Sequence, residues 1–322
     1  MDIECDVAVI GGGPAGLFAT YYAGFRGLKV ALIDSLPELG GQVTAMYPEK
    51  ALLDVAGFPS IKGRELIGGL VEQAASADPT YLLGRTAAEL KASDDGVLLS
   101  LDDGTRVSAG AAIITAGIGK FSPRPLPVGE EWVGRGVEFF VPDFMPYHGK
   151  DVVVVGGGDS AFDWAQHLEP LANSVTLVHR RDAFRAHERT VAEVQNSSVR
   201  IITKAQVSDI RGTDGVEAVE VTVEGEEPEV IPAQRVVAAL GFLADLGALK
   251  QWGLELDKRN VVVDSSMLTN LPRVFAAGDI TEYPGKVRLI AVGFGEAATA
   301  DNNAAVAIDP SARVFPGHSS DA

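Results

Sequence analysis

The residues whose spacing says most about chemistry are glycines. Gly11-Gly12-Gly13-Pro14-Ala15-Gly16 follows Asp6-Val7-Ala8-Val9-Ile10, a short apolar run rich in β-branched residues. It precedes a helical pattern in which Leu17, Tyr21 and Phe25 stand four apart. Strand, glycine turn and helix form the setting in which G-x-G-x-x-G binds a dinucleotide. Gly11 permits the tight turn, Gly13 lets the backbone approach a pyrophosphate, and Gly16 lets the helix pack on the strand. Pro14 and Ala15 complete the turn, and the helix N-terminus offers free N–H groups to the phosphates. The second strand, Leu28 to Ile33, ends in Asp34, twenty-three positions after Gly11. A carboxylate there accepts hydrogen bonds from a ribose 2′-OH and repels a 2′-phosphate.

The motif recurs. Asp151-Val152-Val153-Val154-Val155, apolar enough for a buried parallel strand, leads into Gly156-Gly157-Gly158-Asp159-Ser160-Ala161. This is the G-x-G-x-x-A variant, followed by a helical segment over Phe162 to Leu171. The next strand, Val175 to Val178, ends at His179-Arg180-Arg181, with Arg185 beyond; His179 is again twenty-three positions after the first glycine. Guanidinium forks match phosphate in geometry and charge. The first site therefore suits a free 2′-OH and the second a 2′-phosphate, as in NADPH.

The elements around these motifs follow from local pattern. Gly40 to Pro48 reads as a loop after the first βαβ unit, where glycines and the Gln42 amide suit close approach to a ligand. A helix is expected from Arg64 to about Ala77, ended by Asp78-Pro79. Ala87 to Val107 is strand-like, with an Asp103-Gly104 turn, and suggests a small antiparallel sheet. A buried strand over Ala111 to Thr115 runs into Ala116-Gly117-Ile118-Gly119 and three prolines, Pro123, Pro125 and Pro127, which mark a hinge. After Arg189 the chain reads as strand-rich up to Leu240, and Gly241-Phe242-Leu243 marks the return. A strand over Arg273 to Ala277 leads into Gly278-Asp279, an acid placed to meet a ligand hydroxyl. An alanine-rich helix is expected from Leu289 to about Val306.

Bulk properties set limits. The chain has 322 residues, enough for two cores, and a net charge of −17, which argues against nucleic acid as a partner. No apolar run is long enough to span a membrane. The acidic start, Met1-Asp2-Ile3-Glu4, running into a strand, predicts no signal peptide. The lone cysteine, Cys5, excludes an internal disulfide or dithiol. His148, His167 and His187 lack metal-ligand spacing. A cytoplasmic protein without metal is the expectation.

Two fingerprints, one nested between halves of the other domain, resemble the two-dinucleotide-binding-domain flavoproteins. The absence of a C-terminal interface domain resembles the low-molecular-weight thioredoxin reductases. Those enzymes carry C-x-x-C before the second fingerprint, where this chain has Glu138-Phe139-Phe140-Val141. The resemblance is most specific to the thioredoxin-reductase-like ferredoxin–NADP reductases. It rests on Gly40-Gly41-Gln42 with Tyr47-Pro48, on Gly156 to Trp164, on His179 to His187, and on the tail His318-Ser319-Ser320. It implies an α/β fold of two Rossmann-like, three-layer ββα domains. An FAD-binding domain (1–118 and 244–322) would be interrupted by an NADPH-binding domain (119–243). It further implies FAD on Asp34, Gly41, Gln42, the Ala87 backbone, Phe121, Gly278 and Asp279. Tyr47 and His318 would stack on opposite faces of the flavin, with Ser319 or Ser320 near it. A homodimer passing electrons to ferredoxin or flavodoxin is expected. The alternatives are an NADPH-dependent reductase of a small-molecule acceptor and a flavin-bound sensor. Related disulfide reductases can carry a cysteine in the first fingerprint, where this chain has Ala15.

Overall fold

The structure, a computed structural model, describes residues 2–117 and 119–317. The helices, in chain order, are α1 (Pro14–Phe25), α2 (Gly41–Met46), α3 (Gly63–Ala75), α4 (Asp159–Leu168), α5 (Glu188–Gln195) and α6 (Ile290–Ile308). The chain divides into two compact units, residues 1–120 with 244–322, and residues 121–243.

The first unit is built on a parallel sheet. Strand Asp2–Ile10 lies between Val30–Asp34 and Arg106–Ile114. Thr80–Leu83 extends it on one side and Val274–Ala276 on the other. Val7 to Val9, Ala31 to Ile33 and Ala111 to Ile114 are sealed from solvent on both faces, which is why these runs are continuously apolar rather than alternating. Strands Ala87–Ala92 and Val97–Leu101 continue from Arg106–Ile114 as an antiparallel layer. Helices α1 and α6 pack together, Phe18 against Phe294 and Ala15 close to Gly293, and each buries a row of alanines, Ala19 and Ala23 on α1 and Ala297, Ala300 and Ala304 on α6. The Arg26 guanidinium, at the end of α1, donates to Asn302 Oδ1 (2.5 Å) and to the carbonyls of Arg313 (2.9 Å) and Val314 (3.0 Å). It ties the segment after α6 to the first helix.

The second unit repeats the plan. Five parallel strands run in the order Val137–Glu138, Arg235–Ala238, Asp151–Val155, Ser174–Val178, Arg200–Ile202. An antiparallel sheet of Ala205–Gly212, Val216–Val223 and Glu229–Pro232 packs with them into one core, Val153, Val178 and Val236 against Val207, Val219 and Val221.

Two stretches differ from the sequence expectation. Gly40 to Pro48 is not a plain loop: Gly41–Met46 is helical. Gly40 and Gly41 take φ of 106° and 55°, a left-handed entry open to glycine, after which Thr44 Oγ1 donates to the Leu39 carbonyl (2.9 Å) and Val43 anchors the turn in the core. Glu188–Gln195 is a helix within the region read as strand-rich. It buries Val194 and carries an Arg189–Glu193 pair on its exposed side.

Candidate functional site

In the first unit the two outer glycines of the fingerprint are walled by backbone. A Cβ on Gly11 would sit 2.5 Å from the Thr115 carbonyl oxygen, and one on Gly16 would sit 1.8 Å from the Gly11 carbonyl oxygen. Gly13 is different: a Cβ there meets nothing within 4 Å. Two glycines serve helix–strand packing, and the middle one faces open space. Pro14 opens α1. Asp34 ends its strand only 8% exposed. Its carboxylate accepts the Gly12 N–H (2.5 Å) on one oxygen and the Leu36 N–H (2.8 Å) on the other. Burial pushes its pKa up against those two donors. The backbone thus orients this carboxylate beside the turn and leaves lone pairs for further donors.

The αL turn at Gly40-Gly41 delivers α2 to the same place. A Cβ on Gly41 would lie 3.0 Å from Gly13 Cα, and one on Gly117 would lie 2.9 Å from Gln42 Nε2. Gly278, with φ 82°, comes from the far end of the chain, and its Cβ would lie 3.1 Å from the Ala15 methyl. Asp279 follows, half-buried, and among the described residues no group donates a hydrogen bond to its side chain. Burial pushes its carboxyl up, while Lys286 and Arg288 pull it down. The Tyr47 phenol is pushed up to about 12, first by burial and then by the charges of Asp279 and Asp54. Tyr47 packs on a core formed by Leu17, Val43 and Leu66. Ala87 begins its strand two residues after Arg85, whose N–H donates to the Asp34 carbonyl (3.0 Å). Gly11, Gly13, Ala15, Gly16, Asp34, Gly41, Gln42, Tyr47, Gly278 and Asp279 therefore converge. Phe121 belongs to the other unit, and its side chain is outside the described residues. His318, Ser319 and Ser320 also lie outside them.

In the second unit Gly156 is walled, its Cβ position 2.4 Å from the Ala239 carbonyl oxygen, while Gly158 faces open space. Ala161 takes the packing position, fully buried. The Asp159 carboxylate accepts the His187 N–H (2.8 Å) and so pins the following loop to the start of α4. The His179 ring lies across Gly157, and a Cβ there would reach 2.2 Å from Cε1. Partial burial, with help from the charges of Arg180 and Arg181, lowers its pKa. Ser160, Arg180, Arg181 and Arg185 are exposed. Among the described residues no carboxylate pairs with any of these three guanidinium groups.

The family model for pyridine nucleotide-disulphide oxidoreductases matches residues 5–302. A ferredoxin–NADP reductase of Nocardioides sp. is 73% identical over 323 residues, covering 99% of this chain and 98% of that one. The chain belongs to the ferredoxin–NADP reductase family. A family relative from Salinispora arenicola is 63% identical over 318 residues, covering 99% of both chains. Among solved structures, thioredoxin reductase from T. acidophilum shares the fold at 28% identity, with a TM-score of 0.79 over 96% of this chain and 99% of that one. This ferredoxin–NADP reductase family member has only Cys5, whose thiol burial pushes up to about 12. It therefore has no dithiol with which to reduce a disulfide.

Sequence reasoning missed three polar side chains behind Gly278: Tyr283, Lys286 and Glu296. Glu296 was legible in principle, as one of only two acids, with Asp301, on an alanine-rich helix. Its partners were not, because a lysine in a loop reads as solvated.

Proposed function

We propose that the protein is an FAD-dependent ferredoxin–NADP(+) reductase, a cytoplasmic homodimer that moves electrons between NADPH and ferredoxin or flavodoxin. The observation that carries the reading is the chemical difference between two otherwise matching cradles. One ends in a backbone-held carboxylate, the other in exposed arginines. Gly11, Gly13, Pro14, Ala15 and Gly16 bind the FAD pyrophosphate, and Asp34 its adenosine ribose. Gly41, Gln42, the Ala87 backbone, Gly278 and Asp279 line the remainder. Tyr47 and His318 cover the two faces of the ring system and exclude water, with Ser319 or Ser320 beside it. In the second unit Gly156, Gly158, Asp159, Ser160 and Ala161 shape the NADPH pyrophosphate turn. His179 packs the turn, and Arg180, Arg181 and Arg185 hold the 2′-phosphate.

Bound FAD supplies the conversion of a hydride pair into single electrons. The protein's part is to bind, orient and shield, and no side chain serves as an obligatory acid or base. Anaerobic stopped-flow spectroscopy tests the proposal, with NADPH mixed first and oxidised ferredoxin second. Loss of the yellow absorbance, then its rapid return as ferredoxin is reduced, is expected. Bleaching without transfer to ferredoxin or flavodoxin would move the activity to a small-molecule acceptor.

A further inference from the structure

Behind the Gly278 turn lies a charge pair almost wholly removed from water: the Lys286 side chain is 1% exposed and that of Glu296 4%. The two are in direct contact, and each spends a hydrogen bond on one of the two peptide groups that flank Gly278. Glu296 Oε2 accepts the Gly278 N–H (2.7 Å), and Lys286 Nζ donates to the Gly278 carbonyl (3.0 Å). The Thr281 hydroxyl adds a bond to that carbonyl (2.8 Å), and the Tyr283 hydroxyl donates to Glu296 Oε1 (2.5 Å). Gly278 is also wedged between the Ala15 methyl and Gly293 of α6. A buried ion pair is poor support for stability, since apolar side chains of the same volume serve as well. Its hydrogen-bonding directionality is what apolar packing cannot replace.

We propose that Lys286 and Glu296 are positioning residues, whose grip on the backbone either side of Gly278 aims the Asp279 carboxylate at a hydroxyl of the bound flavin. The proposal rests on the placement of FAD given above. The Asp279 side chain receives no hydrogen bond from the described protein groups, while Asn260 Nδ2 donates to its backbone carbonyl (2.9 Å), so the held backbone on either side sets where the carboxylate starts. Lys286 also contributes electrostatically. The charged and titratable groups facing Asp279 are Lys286, Arg288, Glu296 and Tyr47, and the two cations oppose the effect of burial on its carboxyl. The ionised carboxylate is the better acceptor for a hydroxyl.

The test is FAD titration of the full-length chain, followed by flavin fluorescence across pH 5–9, for three variants. Asp279→Asn establishes that the carboxylate meets the flavin and is expected to weaken FAD. Lys286→Met/Glu296→Gln is neutral and volume-matched. It should leave the FAD-free chain as heat-stable as the parent, weaken FAD about ten-fold, and move the acid limb of the affinity profile to higher pH. If the double variant fails to fold, Tyr283→Phe decides. It removes one donor to Glu296 without changing charge, and should weaken FAD about three-fold with the acid limb unmoved. Parent-like affinity and pH profile in the double variant, or parent-like affinity in Tyr283→Phe, beside a weakened Asp279→Asn, would overturn the positioning role. A parent-like Asp279→Asn would instead overturn the flavin placement and the proposal with it.

Discussion

At the scale of single residues, the fingerprint glycines separate into two kinds. Gly16 has no room for a methyl because protein backbone occupies the space, whereas Gly13 has room that only a ligand would take. Gly13→Ala is therefore expected to leave the FAD-free chain's thermal midpoint unchanged while weakening FAD strongly. Gly16→Ala should lower that midpoint, and differential scanning fluorimetry with and without FAD separates the two. In the other cradle, Arg180→Ser/Arg181→Ser should raise the KM for NADPH about ten- to a hundred-fold, the loss of charged phosphate contacts. The KM for NADH should be unaffected, and equal effects on both would remove these residues from 2′-phosphate recognition. The glycines, Asp34 and the arginines were legible because their types and their interval from the first glycine carry the chemistry. Lys286 was not, because burial and pairing come from contacts that sequence does not display.

At the scale of elements, the strands were legible wherever both faces are buried, as in Val152–Val155. The two helices that departed from expectation are short and depend on particular contacts, a left-handed glycine entry for α2 and one buried valine for α5. Helix α6 holds a further surprise. Asp301 is fully buried, and both its carboxylate oxygens lack a hydrogen-bond partner among the described residues. Burial drives its pKa well above the ordinary carboxylate value, with Arg26 as the opposing charge. The folded state then holds this proton more tightly than the unfolded chain. Stability is highest below the ordinary aspartate pKa and is lost as pH rises toward the folded value. Asp301→Asn should accordingly be more stable than the parent by about 1–3 kcal/mol at pH 8. The difference should vanish below about pH 4, as read from urea unfolding at the two pH values.

At the scale of the whole molecule, the duplication was legible because each copy repeats strand, glycine turn, helix and strand at one interval. The nesting was inferred from glycine and proline punctuation, and the division at residues 120/121 and 243/244 falls within that punctuation. The second unit is contiguous and has its own core. Residues 121–243 expressed alone are expected to fold, and to be retained on immobilised 2′,5′-ADP and released by NADP+. The same fragment with Arg180→Ser/Arg181→Ser should pass through.

The pairing of Val274–Ala276 with Arg106–Ile114 also bears on how the chain is made. Between the end of one strand and the start of the other lie about 160 residues, which a ribosome takes roughly 8–30 s to add. During that interval the nascent first unit presents an open, apolar strand edge of the kind that invites wrong partners. The inserted unit, whose parallel strands all lie between Val137 and Ala238, is meanwhile completed. The part that emerges second thus closes first, and the part that emerges first waits for the final quarter of the message.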